Sequence, residues 1–572
     1  MEAGKIMING IFNGSRLLTV PFFQRSYVWE TQQWERFLLD MEMVTKTGKS
    51  FFLGPVIMKA GEKPPTWACY ADCKTVIDGQ QRLTTMLIFL KVIALKTQNS
   101  VPFDKYFRLE DGSIALHHGK NDREAFKIVM NLTEAEKIPN KVSQSQIIEA
   151  YNYFIDYLDP EKVNQNTIRQ CVQFVCIDLL EDEDEQQVFD TVNSPGAVLT
   201  TADMLKNYFY REENIAEYER DWVGIFENDR ETKVYWDQKF ETGRIIRLMI
   251  DIFFDAYFQL FLLDKRFSVS TEERIVYSRT NQLAKSYKDF IRKQCGGDKS
   301  VILSPMADYA RCFAETFRPE FCKTSLPNTK GIERLNVVIF GLKTTTLIPY
   351  VLFVAHNVSD EVERNRIYGI LEAYIMRRIV VHATTKNYNR VFDSLILNRV
   401  LDAYTLLQRL SKDPDATTYV PDNAELLRGF QQSKLVNLQS RGILYLIESG
   451  IRSPFSSTAL YSFNTYSLEH LMPKKWTNNW PACASDEEEQ QRNQKLLTLG
   501  NLAIIPMSLN ASIRDGNWQT KLAGKGNKTG LAACAAGLRT VQDVLQTEVW
   551  NEEAIDQRAV WLYEQARLLW KL

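Results

Sequence analysis

Asp78, Gly79, Gln80, Gln81 and Arg82 stand in a row between a short apolar run, Cys73 to Ile77, and the almost wholly apolar stretch Leu83 to Leu95. The first run suits a strand, Asp78-Gly79 breaks it, and the second is long enough for a core helix. Polar residues so placed crowd a helix N-terminus, where unpaired N–H groups and the helix dipole favour anions. Gly79 lets backbone approach a ligand, Arg82 can grip phosphate oxygens through two N–H groups, and Asp78 can hold Mg²⁺ beside them. The chemistry expected is nucleotide binding; the competing reading is a strand, turn and helix with a salt-bridged arginine. Upstream, the run from Val20 to Trp29 offers Arg25 as a second phosphate ligand. Its Tyr27 and Trp29 could stack a base, although aromatics in such a segment more often join the core.

A second cluster lies far along the chain: Glu469-His470-Leu471-Met472-Pro473, Leu499-Gly500-Asn501-Leu502, Ser508-Leu509-Asn510-Ala511-Ser512, and Trp518 with Lys521. Metal-assisted cleavage of a phosphodiester needs a base to activate water, a hard cation held by oxygen ligands, and a group that fixes the imidazole. His470 fits the first role, Glu469 with Asn510 the second, and Asn501 the third.

These clusters need elements to hold them. Residues 1–215 alternate strand-like and helical pieces, among them FFLGPVIMKA, QFVCIDLL and the helically spaced IIEAYNYFIDYL, and predict one α/β domain. Acidic residues 181–185 read as a solvated helix start, Asn193 to Gly196 as a turn, and Thr201 or Asp203 as the cap of the next helix. Residues 216–435 are helical almost throughout and predict an all-α middle domain. A turn-rich domain, 436–572, closes on the amphipathic helix around EEAIDQRAVWLYEQARLLW. Arg377 and Arg378 share the middle domain's apolar helix; one could pair with an acid while the other faces DNA or nucleotide, and His382 follows on the same helix.

Composition narrows the classes. The chain has 572 residues, 45% of them hydrophobic and 12% aromatic, ample for several cores. With 69 basic against 71 acidic side chains, nucleic-acid contact must use local patches rather than an overall basic field. The nine scattered cysteines suit a reduced, cytoplasmic protein; Cys69 with Cys73, and Cys171 with Cys176, resemble half-sites for zinc only superficially. No uncharged run of about 18 residues is present, so no membrane span is expected.

The ordered set VPFFQRSYVW, FFLGPVIM, VIDGQQRLTTM, VFDTVNSPGAVLTTADMLKNY, RRIVVHATTKNYNRVF, EHLMPKKW, LGNLAIIP and SLNASIRDGNWQTK resembles the GmrSD-type modification-dependent (type IV) restriction proteins over nearly the whole chain. The resemblance implies a multidomain α+β protein: an N-terminal ParB/sulfiredoxin-like nucleotide-binding domain, a helical middle, and a C-terminal HNH-like (ββα-metal) nuclease domain. It implies nucleotide-binding roles for Gln24, Arg25, Asp78, Gly79, Gln80, Gln81 and Arg82. It implies nuclease roles for His470 as general base, Asn501, Asn510, and Lys521 as the closing basic residue. Many relatives carry Asn where Asp515 stands, which leaves that position's metal role open.

The expected function is an NTP-regulated endonuclease, dependent on Mg²⁺ or Mn²⁺, that nicks or cuts modified invading phage DNA and has NTPase activity. An alternative is a nucleotide-gated sensor of modified DNA without significant nuclease activity. A sulfiredoxin-like redox enzyme would need a reactive cysteine near the nucleotide motif, where Cys73 is closest, and would leave the second cluster unexplained. The nucleotide preferred, the modification read and any homo-oligomer are left open by the sequence.

Overall fold

The strand-like runs of the N-terminal region pair into one mixed sheet. In the computed structural model, residues 2–21, 24, 26–61, 66, 68–139, 145–180, 200–210, 214–242, 245–326, 331–412, 415, 417–452, 458–509, 516–526, 528–534 and 537–572 are described. The sheet holds β1 (Glu2–Met7), β2 (Arg16–Thr19), β3 (Phe51–Ala60), β4 (Asp72–Asp78), β5 (Leu116–His117) and β6 (Val172–Leu179) in the order β1-β6-β3-β4-β2-β5. β3 lies parallel to β6 and antiparallel to β4, while β2 runs parallel to both β4 and β5. β2 ends at Thr19, just short of the run from Val20 to Trp29, where Pro21 has no N–H to give a ladder.

Of the longer helices here, α1 (Thr31–Thr47), α2 (Gln80–Lys96) and α3 (Gln146–Tyr157), α2 packs on β3, and α3 packs on both α2 and α1. α2 is the centre of the core; Leu83 to Ala94 are all buried, as expected of a helix that is apolar all round. It begins three residues before the apolar run does. Helix N-termini have N–H groups without intrahelical partners, so Gln80, Gln81 and Arg82 can occupy the first turn without breaking it. In α4 (Thr201–Phe209) the cap is Thr200, one residue before the expected position, and it forms a reciprocal capping box with Asp203.

The chain divides into two compact units, Met1–Gly224 and Ile225–Leu572. Early in the second a β-hairpin, β7 (Lys239–Thr242) and β8 (Ile245–Leu248), interrupts a stretch otherwise helical among the described residues. It continues through α5 (Met249–Leu262), α6 (Glu361–Val380), α7 (Tyr388–Leu397), α8 (Ala403–Ser411), α9 (Asn423–Gln432) and α10 (Asn437–Ile451). β9 (Tyr466–His470) and β10 (Leu502–Pro506) then pair antiparallel, followed by α11 (Trp518–Ala523) and α12 (Glu552–Leu569). α9 and α10 both pack on α12, and α10 also packs on the β9/β10 pair. The apolar faces that cross residue 435 thus share one core. Among the described residues no helix is long and apolar enough to cross a membrane.

Candidate functional site

The turn from β4 into α2 brings Asp78, Gly79 and Arg82 together. Gly79 adopts a left-handed conformation, φ 98°, and a Cβ there would meet Val56 Cγ2 at 2.9 Å, so the position has both steric and conformational reasons for glycine. Arg82 Nη2 donates to Asp78 Oδ2 at 2.7 Å, and each side chain keeps 18% exposure. The guanidinium lies over Gly54 of β3, where a Cβ would stand 2.3 Å from Arg82 Nη1. Gly54 is therefore the seat of Arg82, a role the FFLGPVIM motif had not revealed.

The glutamines do a different job. Gln24 Nε2 donates to the Val76 and Ile77 carbonyls at 2.9 and 3.3 Å. Gln81 Oε1 accepts from Val28 N at 2.9 Å, and its Nε2 donates to the Ser26 carbonyl at 3.3 Å. Together they fasten the segment that carries Gln24 to Val28 onto the β4–α2 turn. Gln80 is buried and its carbonyl accepts from the Thr84 hydroxyl. Gln24 Oε1 is buried and without a hydrogen-bond partner among the described residues, an acceptor that a donor-bearing ligand would satisfy. Arg25 lies outside the described residues.

Tyr27 belongs to the core. It is 3% exposed, its hydroxyl bonds Thr85 at 2.6 Å and accepts from the Trp34 indole at 2.9 Å, and burial pushes its phenol well above the usual range. Its N–H donates to the Asp122 carboxylate at 2.6 Å. Trp29 is half-buried with its edge on Phe37. Base stacking on Tyr27 is thereby excluded, because a fully packed ring has no free face.

The second cluster sits on a strand, strand and helix in the order β9, β10, α11. His470 ends β9 opposite Leu502, and Glu469 lies opposite Ala503. Burial first, then the Lys474 and Lys521 charges, hold the His470 imidazole down to about 4, so it is neutral at physiological pH. A neutral imidazole can take a proton from water, which is the state a general base requires.

The residues around it act mainly as scaffold. Lys521, on α11, is fully buried; its Nζ donates to Glu469 Oε1 and to the His470 carbonyl, the latter at 2.6 Å. The closing basic residue is thus turned inward, away from any phosphate, and fixes α11 to the end of β9. Asn501 is also fully buried, with all four amide valences filled. Its Oδ1 accepts from Met472 N at 2.8 Å and Trp550 Nε1 at 3.0 Å, and its Nδ2 donates to the Met472 and Leu496 carbonyls at 2.8 and 3.0 Å. It therefore steers His470 through the backbone that follows it, not through a bond to the imidazole.

Sequence reasoning missed Trp550 and Arg558. Arg558 donates to the carbonyls of Leu499, Gly500 and Leu502, bracing the turn that carries Asn501, and complete burial lowers its guanidinium to about 9. The signal was available: Arg558 occupies the buried stripe Ile555, Arg558, Ala559, Leu562 of α12 at helical spacing.

A metal bound to Glu469 would have to displace a buried ammonium, so Glu469 as it stands does not fit a metal ligand. Among the described residues no group of three or more His, Cys, Asp and Glu side chains is placed to hold a metal ion. Asn510 and Asp515 lie outside the described residues, as do residues 181–185 and Asn193 to Gly196.

Arg377 and Arg378 do not face a ligand. Arg377 donates to the carbonyls of Trp570 and Pro421 and to Asn423 Oδ1, and Arg378 to those of Thr384, Thr417 and Tyr419. Both are buried, at 5% and 0% exposure, because each guanidinium supplies enough donors to saturate loop carbonyls packed on α6. His382 lies beyond the end of that helix, at φ 57°, and is exposed.

The fold joins a six-stranded mixed sheet in the first unit to a largely helical second unit that carries the β9/β10 pair and α11. A family model for the GmrSD restriction endonuclease N-terminal domain matches residues 8–210, and one for the C-terminal domain of GmrSD restriction endonucleases matches residues 420–565. The chain belongs to the GmrSD restriction endonuclease family. DNA is accordingly its implied partner. The C-terminal match begins just before α9, which agrees with the packing of α9 and α10 on α12. No curated protein matches the chain.

Proposed function

We propose that the chain is a cytoplasmic, NTP-regulated endonuclease that nicks or cuts modified invading DNA in antiviral defence. The observation that carries the reading is His470: a neutral imidazole at the end of β9, held by the buried Lys521–Glu469 pair and by Asn501. In the hydrolytic step His470 takes a proton from water as the oxygen attacks phosphorus, and the P–O bond to the leaving oxygen breaks. Dependence on Mg²⁺ or Mn²⁺ is part of the reading, with ligands other than Glu469 in its paired state.

The N-terminal unit is proposed to bind the NTP. The first turn of α2 offers a helix N-terminus, Arg82 offers directional phosphate contacts, and Gln24 Oε1 offers an unfilled acceptor. Asp78 would accompany a cation only by giving up Arg82. NTPase activity and a homo-oligomer remain parts of the proposal.

The test is cleavage of matched modified and unmodified phage DNA by the purified chain and by His470→Ala, with and without Mg²⁺ and each NTP. Cleavage of modified DNA that depends on His470 is the expected result. DNA binding without cleavage under every condition would replace the endonuclease with a nucleotide-gated sensor.

A further inference from the structure

Within the second unit, α7 and α8 form the walls of a cleft of about 560 Å³, and no role proposed above uses it. On α8 the residues that line it are Thr405, Gln408 and Arg409, with Lys412 just past the helix end. Their spacing, i, i+3, i+4 and i+7, puts all four on one face. That face carries two cations and no carboxylate. Opposite it, α7 contributes Arg390 and Ser394, again one turn apart. Arg390 is 77% exposed, and Arg409 and Lys412 are exposed too.

Among the described residues, the acids nearby are engaged in other bonds or line another cavity. Asp415 reaches Arg390 at 3.3 Å, but its carboxylate also accepts from Thr417 N and Oγ1 at 2.8 and 2.7 Å, which ties it into its own turn. Asp402 caps α8 by accepting from Thr405 N at 2.8 Å. Asp393, beside Ser394 on α7, lines a different cavity. Among the described residues no carboxylate pairs with Arg409 or Lys412.

On the cleft floor Thr418 is 2% exposed, and the carbonyls on either side of it, those of Thr417 and Tyr419, accept from Arg378 at 2.6 Å each. The arginine that the sequence offered as a DNA contact instead builds the wall behind one. Tyr404, 71% exposed, stands a turn from Gln408, whose amide donates to its hydroxyl at 2.6 Å. It adds an exposed aromatic to the rim of a cationic groove, the pairing that suits a sugar-phosphate chain.

We propose that the α7/α8 cleft, through Arg390, Arg409 and Lys412, grips the DNA backbone at a place separate from the cleavage site. The stripe from Thr405 to Lys412 rises about 10 Å along the helix, a length over which one strand of duplex carries about three phosphates. Such contacts read charge and not sequence, so they hold DNA whatever its modification. The inference rests on the endonuclease reading only in taking DNA as the ligand.

The test uses the full chain and a 30-base-pair unmodified duplex in a salt series without divalent cations, reading affinity by fluorescence anisotropy. Each phosphate contact contributes about 0.9 to the slope of log affinity against log salt. R409Q and K412Q should each lower the slope by about 0.9 and the triple variant R390Q/R409Q/K412Q by about 2.7, so that between about 50 and 200 mM salt the triple variant loses about 40-fold less affinity than the parent. All three positions are exposed, and unchanged melting temperatures would show that the fold is intact. An unchanged slope in the triple variant would overturn the cleft while leaving His470-dependent cleavage, and with it the endonuclease reading, in place. Loss of inorganic triphosphate binding without a change in DNA slope would also overturn it, in favour of a free-nucleotide site. A parent protein that neither binds nor cleaves DNA would remove both proposals together.

Discussion

Both candidate sites are built around one acid–base pair, yet the pairs differ in kind. Asp78–Arg82 is an i,i+4 pair at a helix start with 18% of each side chain exposed; Glu469–Lys521 joins a strand to a helix with 7% and 0% exposed. Solvent can reach the first pair, whereas burial shields the second from it. A part-exposed pair contributes little net stability and can exchange its partner for a ligand at small cost. A buried pair cannot, because opening it strands a charge in a medium that does not solvate it. The N-terminal pair is thus suited to exchange, and the C-terminal pair is a fixed brace for His470.

The largest effect should come from the residue that the brace holds. His470→Ala should lower cleavage by about 10²–10⁴-fold, the usual contribution of a general base, while nucleotide binding is unchanged. Wild-type nicking by the purified variant would end the assignment. Next, Lys521→Met should destabilise the second unit by about 3–5 kcal/mol, since Glu469 would be left buried and unpaired. Adding Glu469→Gln should recover much of that loss. A chemical denaturation series checks both, and an additive double variant would refute the idea of a coupled buried pair.

The pH response separates the sites further. A base must be unprotonated, so cleavage should persist as pH falls and be lost only near pH 4, where His470 titrates, instead of near the usual value of about 6.5. Folded-state protonation also affects stability. Between pH 6.5 and about 4 the unfolded chain holds a proton on this residue that the folded chain does not, so His470 lowers stability as pH falls through that window. His470→Gln should flatten this part of the stability curve; a cleavage profile with an acid limb near pH 6.5 would contradict the buried, neutral imidazole.

The smallest stability change belongs to the N-terminal pair. Arg82→Ala should alter stability by under about 1 kcal/mol yet weaken NTP binding by about tenfold or more, because a charge-assisted phosphate contact is lost. Asp78→Ala should maintain or raise the affinity for metal-free triphosphate, since it frees Arg82. Calorimetric titration of both variants decides this, and equal binding by the wild type and Arg82→Ala would reject the phosphate role.

Local patterning determined much of this protein. The apolar length after Gly79 specified α2, the run through Phe51 specified β3, and the eight ordered motifs specified the family, because periodicity and turn chemistry are written in neighbouring residues. Which polar residues are spent on internal hydrogen bonds was decided by partners distant in sequence. Gln81 is spent on Val28 and Ser26, Asn501 on Met472, Leu496 and Trp550, and Arg377 on Pro421, Asn423 and the carbonyl of Trp570. A motif shows that a glutamine, asparagine or arginine can bond; only the packed chain decides which donors and acceptors are brought near enough to fill it, because an unfilled buried polar atom is costly. For the same reason His470 reads in sequence as an ordinary histidine, and the tertiary structure alone, through burial and the two lysine charges, makes it a neutral one.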